Sequence, residues 1–203
     1  MSLPESSKEN ALWQGGWYHF SQHHHSPNFG PRPPGTRISL MLLHSISLPP
    51  GQYGGEEVQR LFTNQLDWNQ HPYFKAIEGM EVSSHFFIRR HGELLQFVSC
   101  DDRAWHAGMS VHRGRSNCND YSIGIELEGL EGDSFDERQY ESLSALCAAL
   151  LQQYPIKQVA GHEHVAPGRK GDPGKGFDWS ILQQALGVSP HFFPAEILNK
   201  TDF

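Results

Sequence analysis

A chain of 203 residues, 37% of them hydrophobic, fits one domain with a single packed core. Its formal net charge of −7 argues against a general nucleic-acid binder, which needs a basic surface. No apolar run approaches the ~20 residues of a membrane span, so neither nucleic acid nor membrane is an expected partner.

The first residues, "MSLPESSKENALWQGG", show no charged start followed by an apolar block, so no secretory leader is read and a cytoplasmic protein is expected. Cys100, Cys118 and Cys147 are odd in number and widely spaced, which suits a reducing compartment better than a disulfide framework. Residues 1–12 are polar and read as loose. Residues 13–37 carry Trp13, Trp17, Tyr18 and Phe20 before a Pro- and Gly-rich run, and read as an extended segment anchored by its aromatics. His23, His24 and His25 within it read as an exposed loop rather than a functional metal site.

"RISLMLLHSI" (37–46) is a continuous apolar run ending near His44 and predicts a buried strand. "EEVQRLFTN" (56–64) predicts a short helix. "SSHFFIRRHGELLQFV" (83–98) predicts two strands joined at His91 and Gly92. "YSIGIELEG" (121–129) alternates. Ile123, Ile125 and Leu127 point one way; Ser122, Gly124, Glu126 and Glu128 point the other, with Gly124 leaving room beside the Glu126 carboxylate.

Residues 134–154 give the strongest helix pattern. Leu143, Leu146, Cys147, Leu150 and Leu151 recur at helical spacing, Ser134 and Glu137 suggest a capping box, and Pro155 follows the end. "VAG" (159–161) reads as the end of a strand. "DWSILQQAL" (178–186) reads as a helix capped by Asp178. Interleaved strands and helices place the chain in the α/β (α+β) class, as a single domain with a mixed central sheet flanked by helices. The expected division is an N-terminal extended segment (1–35), a catalytic domain (36–187) and a C-terminal tail (188–203).

Between those last two elements lies "GHEHVAPGRKGDPG" (161–174), where glycine and proline interrupt regular structure. His44, Glu126, His162, Lys170 and Asp172 all fall at strand ends or on following loops, a common way to build a site on a rigid base. Two histidines and a carboxylate with an open fourth position suit catalytic zinc, which brings the pKa of water to near ~7. A further carboxylate can move protons, and an ammonium can stabilise an oxyanion.

"LLHSISLPPGQYGG" (42–55), "SSHFFIRRHGELLQFV" (83–98), "RAWHAG" (103–108), "CNDYSIGIELEG" (118–129) and "GHEHVAPGRKGDPG" (161–174) together resemble the zinc-dependent type 2 N-acetylmuramoyl-L-alanine amidases. Within that family the similarity is to the cytoplasmic branch acting on 1,6-anhydromuropeptides in peptidoglycan recycling. The resemblance runs from about residue 36 to 180. It implies one catalytic Zn2+ held by His44, His162 and Asp172 at one edge of the sheet. Glu126 is implied as proton shuttle, with Glu128 the weaker alternative, and Lys170 as oxyanion stabiliser. Trp105, His106 and Arg115 are implied as substrate contacts, with an anhydromuropeptide as partner and a monomer as the expected state. Peptide carboxylates call for a local basic lining, for which Arg103, Arg113, Arg115, Arg169 and Lys175 are candidates. Ser45 and the extra His164 depart from the family's pattern, and His164 reads as a surface or supporting group.

Two rival readings share this motif set: a non-catalytic peptidoglycan-recognition module and a lytic amidase acting on intact wall. A third reading, a cysteine hydrolase built on Cys118, lacks a partner histidine at a recognisable spacing.

Overall fold

A computed structural model describes residues 12–194. Its centre is a six-stranded mixed sheet. The strands are β1 (Gln22–His23), β2 (Leu40–Ile46), β3 (Phe86–Ile88), β4 (Leu94–Gln96), β5 (Ser122–Glu128) and β6 (Gln158–Gly161), in the spatial order β6-β2-β5-β3-β4-β1. β6, β2, β5 and β3 run parallel; β3 and β4 form the expected antiparallel hairpin; β1 lies parallel to β4 at the edge.

One face of the sheet is mostly apolar. Met41, Leu43, Phe86, Ile88, Ile123, Ile125, Leu127 and Val159 pack there against α3 (Glu137–Gln153) and α5 (Trp179–Leu186). Leu143, Leu146, Cys147 and Leu150 of α3 are fully buried in that layer, while Leu151 is only partly covered. The cap of α3 lies two residues beyond the one expected. Asp136, not Ser134, accepts from the Arg138 N–H at 3.0 Å, and Gln139, not Glu137, returns a bond to the Asp136 N–H at 3.1 Å. Phe135 explains the shift: it precedes the cap and is buried against Phe177, ring centroids 5.7 Å apart, so the core sets where the helix can begin. Asp178 caps α5 as expected.

The opposite face carries two smaller clusters. Phe87, Leu95 and Phe97 meet α1 (Glu57–Phe62) and α2 (Pro72–Ala76), and Leu40, Leu42 and Ala160 meet Ala107, Cys118 and Tyr121. A cleft opens beside the first of these clusters, lined by its Leu48, Leu61 and Phe62. Residues 122–128 are therefore buried on both sides, polar members included, because the polar face of β5 looks into the cleft rather than into solvent.

The N-terminal segment is stitched to the sheet. Trp13 and Tyr18 enter the main core with ring centroids 4.8 Å apart, whereas Trp17 is half-buried and Phe20 is largely exposed, touching only the Tyr18 ring edge-on at 5.7 Å among the described rings. Buried Gln96 accepts from the Tyr18 N–H at 2.7 Å and donates to the Gly16 carbonyl at 2.8 Å. Arg32 donates to the carbonyls of Cys100, Asn119, Asp120 and Ser122. The polar 1–11 stretch and residues 195–203 lie outside the described residues. Within the tail that is described, Phe193 is buried in the core. Among the described residues no helix is long and apolar enough to cross a membrane.

Candidate metal centre and cleft

Strand register assembles the site. Glu126 pairs opposite His44, and Gly161 opposite Leu43, so His162 leaves β6 level with His44. Level residues on neighbouring parallel strands share a face. His162 opens the single-turn helix α4 (His162–Val165), a regular turn inside a stretch whose glycines and prolines predicted none. His164 Nδ1 accepts the Gly161 N–H at 2.9 Å, and its ring meets Trp179 edge-on, so the extra histidine supports the turn that carries His162. Asp172 is brought back by a backbone bond from the Glu163 N–H to its carbonyl at 2.9 Å. Pro173 then packs onto Gly161, where a Cβ would lie 2.8 Å from the proline ring.

The result is three converging atoms. His44 Nδ1 and His162 Nδ1 are 3.0 Å apart, and each is 3.1 Å from Asp172 Oδ2. Among the described residues these are the one group of three or more side chains able to hold a metal. The donor set fits zinc, since ligand atoms ~2.0–2.1 Å from a tetrahedral ion stand ~3.3 Å apart. His162 Nε2 faces the Ala107 carbonyl at 3.1 Å, which can only accept. Its proton therefore sits on Nε2, and the Nδ1 lone pair points into the cluster. A bare nitrogen and a carboxylate oxygen in contact call for a cation between them.

Electrostatics agree. Burial pushes His44 down to about 4, with the Asp172 hydrogen bond offsetting only part of that effect. At neutral pH His44 is thus the uncharged ligand form. Burial pushes the Asp172 carboxyl up, but the imidazoles of His162 and His44, each 3.1 Å from Oδ2, outweigh it and hold the group below the usual carboxylate range, ionised.

Beside the cluster, Glu126 is 8% exposed, and its Oε2 is buried with no hydrogen-bond partner among the described residues. Burial first, then the Asp172 charge, raises its pKa well above the ordinary value, and Lys170 pulls the other way. These groups line a cavity of about 390 Å³, within the size range of small-ligand sites. Its far wall is apolar: Leu61, Tyr73, Ile77, Met80 and Trp105.

A family model described as N-acetylmuramoyl-L-alanine amidase matches residues 34–175. The chain belongs to the N-acetylmuramoyl-L-alanine amidase family. It is 45% identical over 182 residues to 1,6-anhydro-N-acetylmuramyl-L-alanine amidase AmpD of Citrobacter freundii, covering 89% of this chain and 97% of that one. The crystal structure of a selenomethionine AmpD derivative superposes with a TM-score of 0.83 at 44% identity, over 86% of this chain and 99% of the other. The amidase AmiD from Escherichia coli is 26% identical, with a TM-score of 0.55 over 78% of this chain and 61% of its own. It was solved with the substrate anhydro-N-acetylmuramic acid-L-Ala-D-gamma-Glu-L-Lys.

Set in this amidase family, the candidate residues sort by position. His44, His162, Asp172, Glu126, Lys170, Trp105 and His106 all border the cleft. Arg115 does not. Its guanidinium lies 3.7 Å from the Tyr121 ring centroid, outside the cavity. Of the basic candidates, Arg169 alone lines the cavity besides Lys170, donating to the carbonyls of Ala107 and Met109. Arg103 is paired with Asp120.

Glu128 is committed to the backbone, accepting from the N–H groups of Gly54 at 2.6 Å and Arg90 at 2.9 Å. Cys118 is fully buried with Sγ 3.3 Å from the Tyr121 hydroxyl, no setting for a nucleophile. His23 and His25 flank the Trp17 ring, and His24 stacks on Phe97, so the triple-histidine stretch is occupied in packing.

Two features escaped the sequence reading. The wall helix α2 was not foreseen, although His71 followed by Pro72 is a helix-start signal and His71 does cap it. The space above Gly124 is filled by the His106 ring, whose atoms would lie 2.6 Å from an added Cβ, rather than left open beside Glu126.

Proposed function

We propose that this amidase is zinc-dependent and cleaves the amide between the lactyl group of 1,6-anhydro-N-acetylmuramic acid and the L-alanine of a stem peptide, as the names of its relatives suggest. The observation that carries the reading is the pair of imidazole nitrogens and one carboxylate oxygen converging beside a buried, unpartnered glutamate in a single cleft.

His44, His162 and Asp172 would hold the ion. Bound zinc supplies Lewis acidity, lowering the pKa of water and drawing charge from a carbonyl. Glu126 accepts a proton from the attacking water and returns one to the leaving amine nitrogen, a role favoured by its raised pKa. Lys170 sets an ammonium at the cleft to balance negative charge developing on the carbonyl oxygen. The wall bearing Trp105, Tyr73 and Met80 offers an apolar surface for the sugar, and Arg169, whose donors go to neutral carbonyls, offers its charge to a peptide carboxylate. Three free, buried cysteines support a cytoplasmic setting, where soluble recycled muropeptides rather than intact wall are at hand.

The test is peptide release from a purified anhydromuropeptide. Chelation should abolish it and added zinc restore it, while intact sacculi should be cleaved far more slowly. Full activity after exhaustive chelation, or equal turnover of sacculi, would overturn the proposal.

A further inference from the structure

The resemblance assigns His106 to the substrate, but its ring is engaged on the protein side. We infer that His106 and Ser122 form a relay that sets the tautomer of the metal ligand His44, making His106 a positioning residue. This inference rests on the zinc reading of the site.

The relay is read from its far end. Ser122 Oγ lies 2.6 Å from the Cys118 carbonyl, which can only accept, so the single hydroxyl hydrogen is spent there. The same oxygen, 3.3 Å from His106 Nε2, must then accept, which places the His106 proton on Nε2. His106 Nδ1 is left bare, 3.0 Å from His44 Nε2, and takes a proton from it. His44 therefore carries its hydrogen on Nε2 and turns a bare Nδ1 toward His162 Nδ1 and Asp172. On the other side of the cluster the Ala107 carbonyl does the same for His162.

The ring is fixed independently of the relay. Its backbone N–H donates to Asn119 Oδ1 at 3.1 Å, and it sits over Gly124, where no Cβ opposes it. A partner that holds the second nitrogen of a ligating histidine typically changes metal affinity by 10–100-fold when removed.

Zinc affinity of the full-length protein, measured by competition with a chromophoric chelator, tests this. His106→Phe keeps a ring and loses the acceptor; zinc should bind ~10–100-fold more weakly. His106→Asn, whose Oδ1 can accept from His44, should recover much of that loss. Ser122→Ala, which touches neither metal nor cleft, should weaken zinc by several-fold. A long-range 1H–15N spectrum of the zinc-loaded wild type should show His106 protonated at Nε2 and bare at Nδ1, a readout that needs no variant to fold. Wild-type zinc affinity in the Phe variant with a raised KM would make His106 a substrate contact and overturn the inference. So would a proton on His106 Nδ1. A wild-type protein that takes up no zinc would instead sink the proposed function itself.

Discussion

Gly124 offers a sharp test of how this site is packed, because one methyl group there has a calculable effect. Its φ lies outside the left-handed region, so alanine is tolerated by the backbone and the cost is steric alone. The new Cβ would stand 2.6, 2.6 and 2.8 Å from three atoms of the His106 ring. Carbon contacts settle at ~3.5–4.0 Å, so the ring must retreat by about 1 Å. The His44–His106 bond starts at 3.0 Å, and a retreat of that size carries it out of hydrogen-bond range. Overpacking costs ~1–3 kcal/mol and the lost bond ~1 kcal/mol, together roughly 2–4 kcal/mol. For a domain of this size each kcal/mol moves Tm by ~2–4 °C, so metal-free Gly124→Ala should melt roughly 4–16 °C below wild type. It should also bind zinc more weakly. Gly30→Ala is the control, since a Cβ there meets nothing within 4 Å, and it should stay within ~0.5 kcal/mol of wild type. Thermal melts of the chelated proteins and zinc titrations provide both readouts. If Gly124→Ala tracks the control in both, the ring is not wedged against β5 and the geometry drawn here is wrong.

Other consequences can be checked alongside it. Glu126→Gln should lower turnover ~10²–10⁴-fold while zinc uptake stays intact; a variant retaining a tenth of wild-type kcat would remove Glu126 from proton transfer. Glu128→Ala should act on the fold, removing acceptors from the partly buried Gly54 and Arg90 N–H groups at about 1–3 kcal/mol in total in a urea titration, with kcat of the folded enzyme changed only a few-fold. Acid should weaken the metal-free protein. His85, buried and beside Arg32, has its pKa lowered by burial and then by that charge, and His44 is held at about 4. For such groups the unfolded chain binds more protons, so stability is complete above pH ~6.5 and lost as pH falls, by about 1.4 kcal/mol per unit for each histidine. Glu126 opposes the trend because its raised pKa lets the folded state gain protons first, so Glu126→Gln should steepen the loss between pH 7 and 5. A flat stability profile over that range would contradict the burial of these imidazoles as neutral groups.

Much of this arrangement was readable from residue order because local chemistry and tertiary placement coincide. The run ending at His44, the alternation through Glu126 and the Gly161–His162 step each announce a strand or its end, and parallel pairing then carries their functional atoms to one level. What stayed hidden depends on contacts between distant residues. The start of α3 is chosen by Phe135 reaching Phe177, which no local capping pattern reports. Glu126 and Glu128 share a strand face, and only the N–H groups of Gly54 and Arg90 mark Glu128 as the structural carboxylate and leave Glu126 as the proposed proton shuttle. Arg115 sits near "WHAG" in sequence, yet the intervening hairpin turns it onto Tyr121.

The same contrast accounts for the division of labour in the cleft. The groups proposed to hold a cation are fixed at strand ends or by backbone bonds, His44 within β2, His162 on the first turn after β6, and Asp172 through the Glu163 N–H. In the inferred relay, carbonyls that can only accept set the tautomers of both histidines, so the proposed metal site is prepared before an ion arrives. Glu126 is treated in the opposite way. Its Oε2 has no hydrogen-bond partner among the described residues, and burial raises its pKa, which suits the proposed acceptance of a proton from water. A fold selected for stability alone would pair that oxygen; leaving it unpaired is the expense the proposed proton-transfer role carries, in a cleft lined by apolar side chains together with Ser45, Ser47, Ser83 and Glu131.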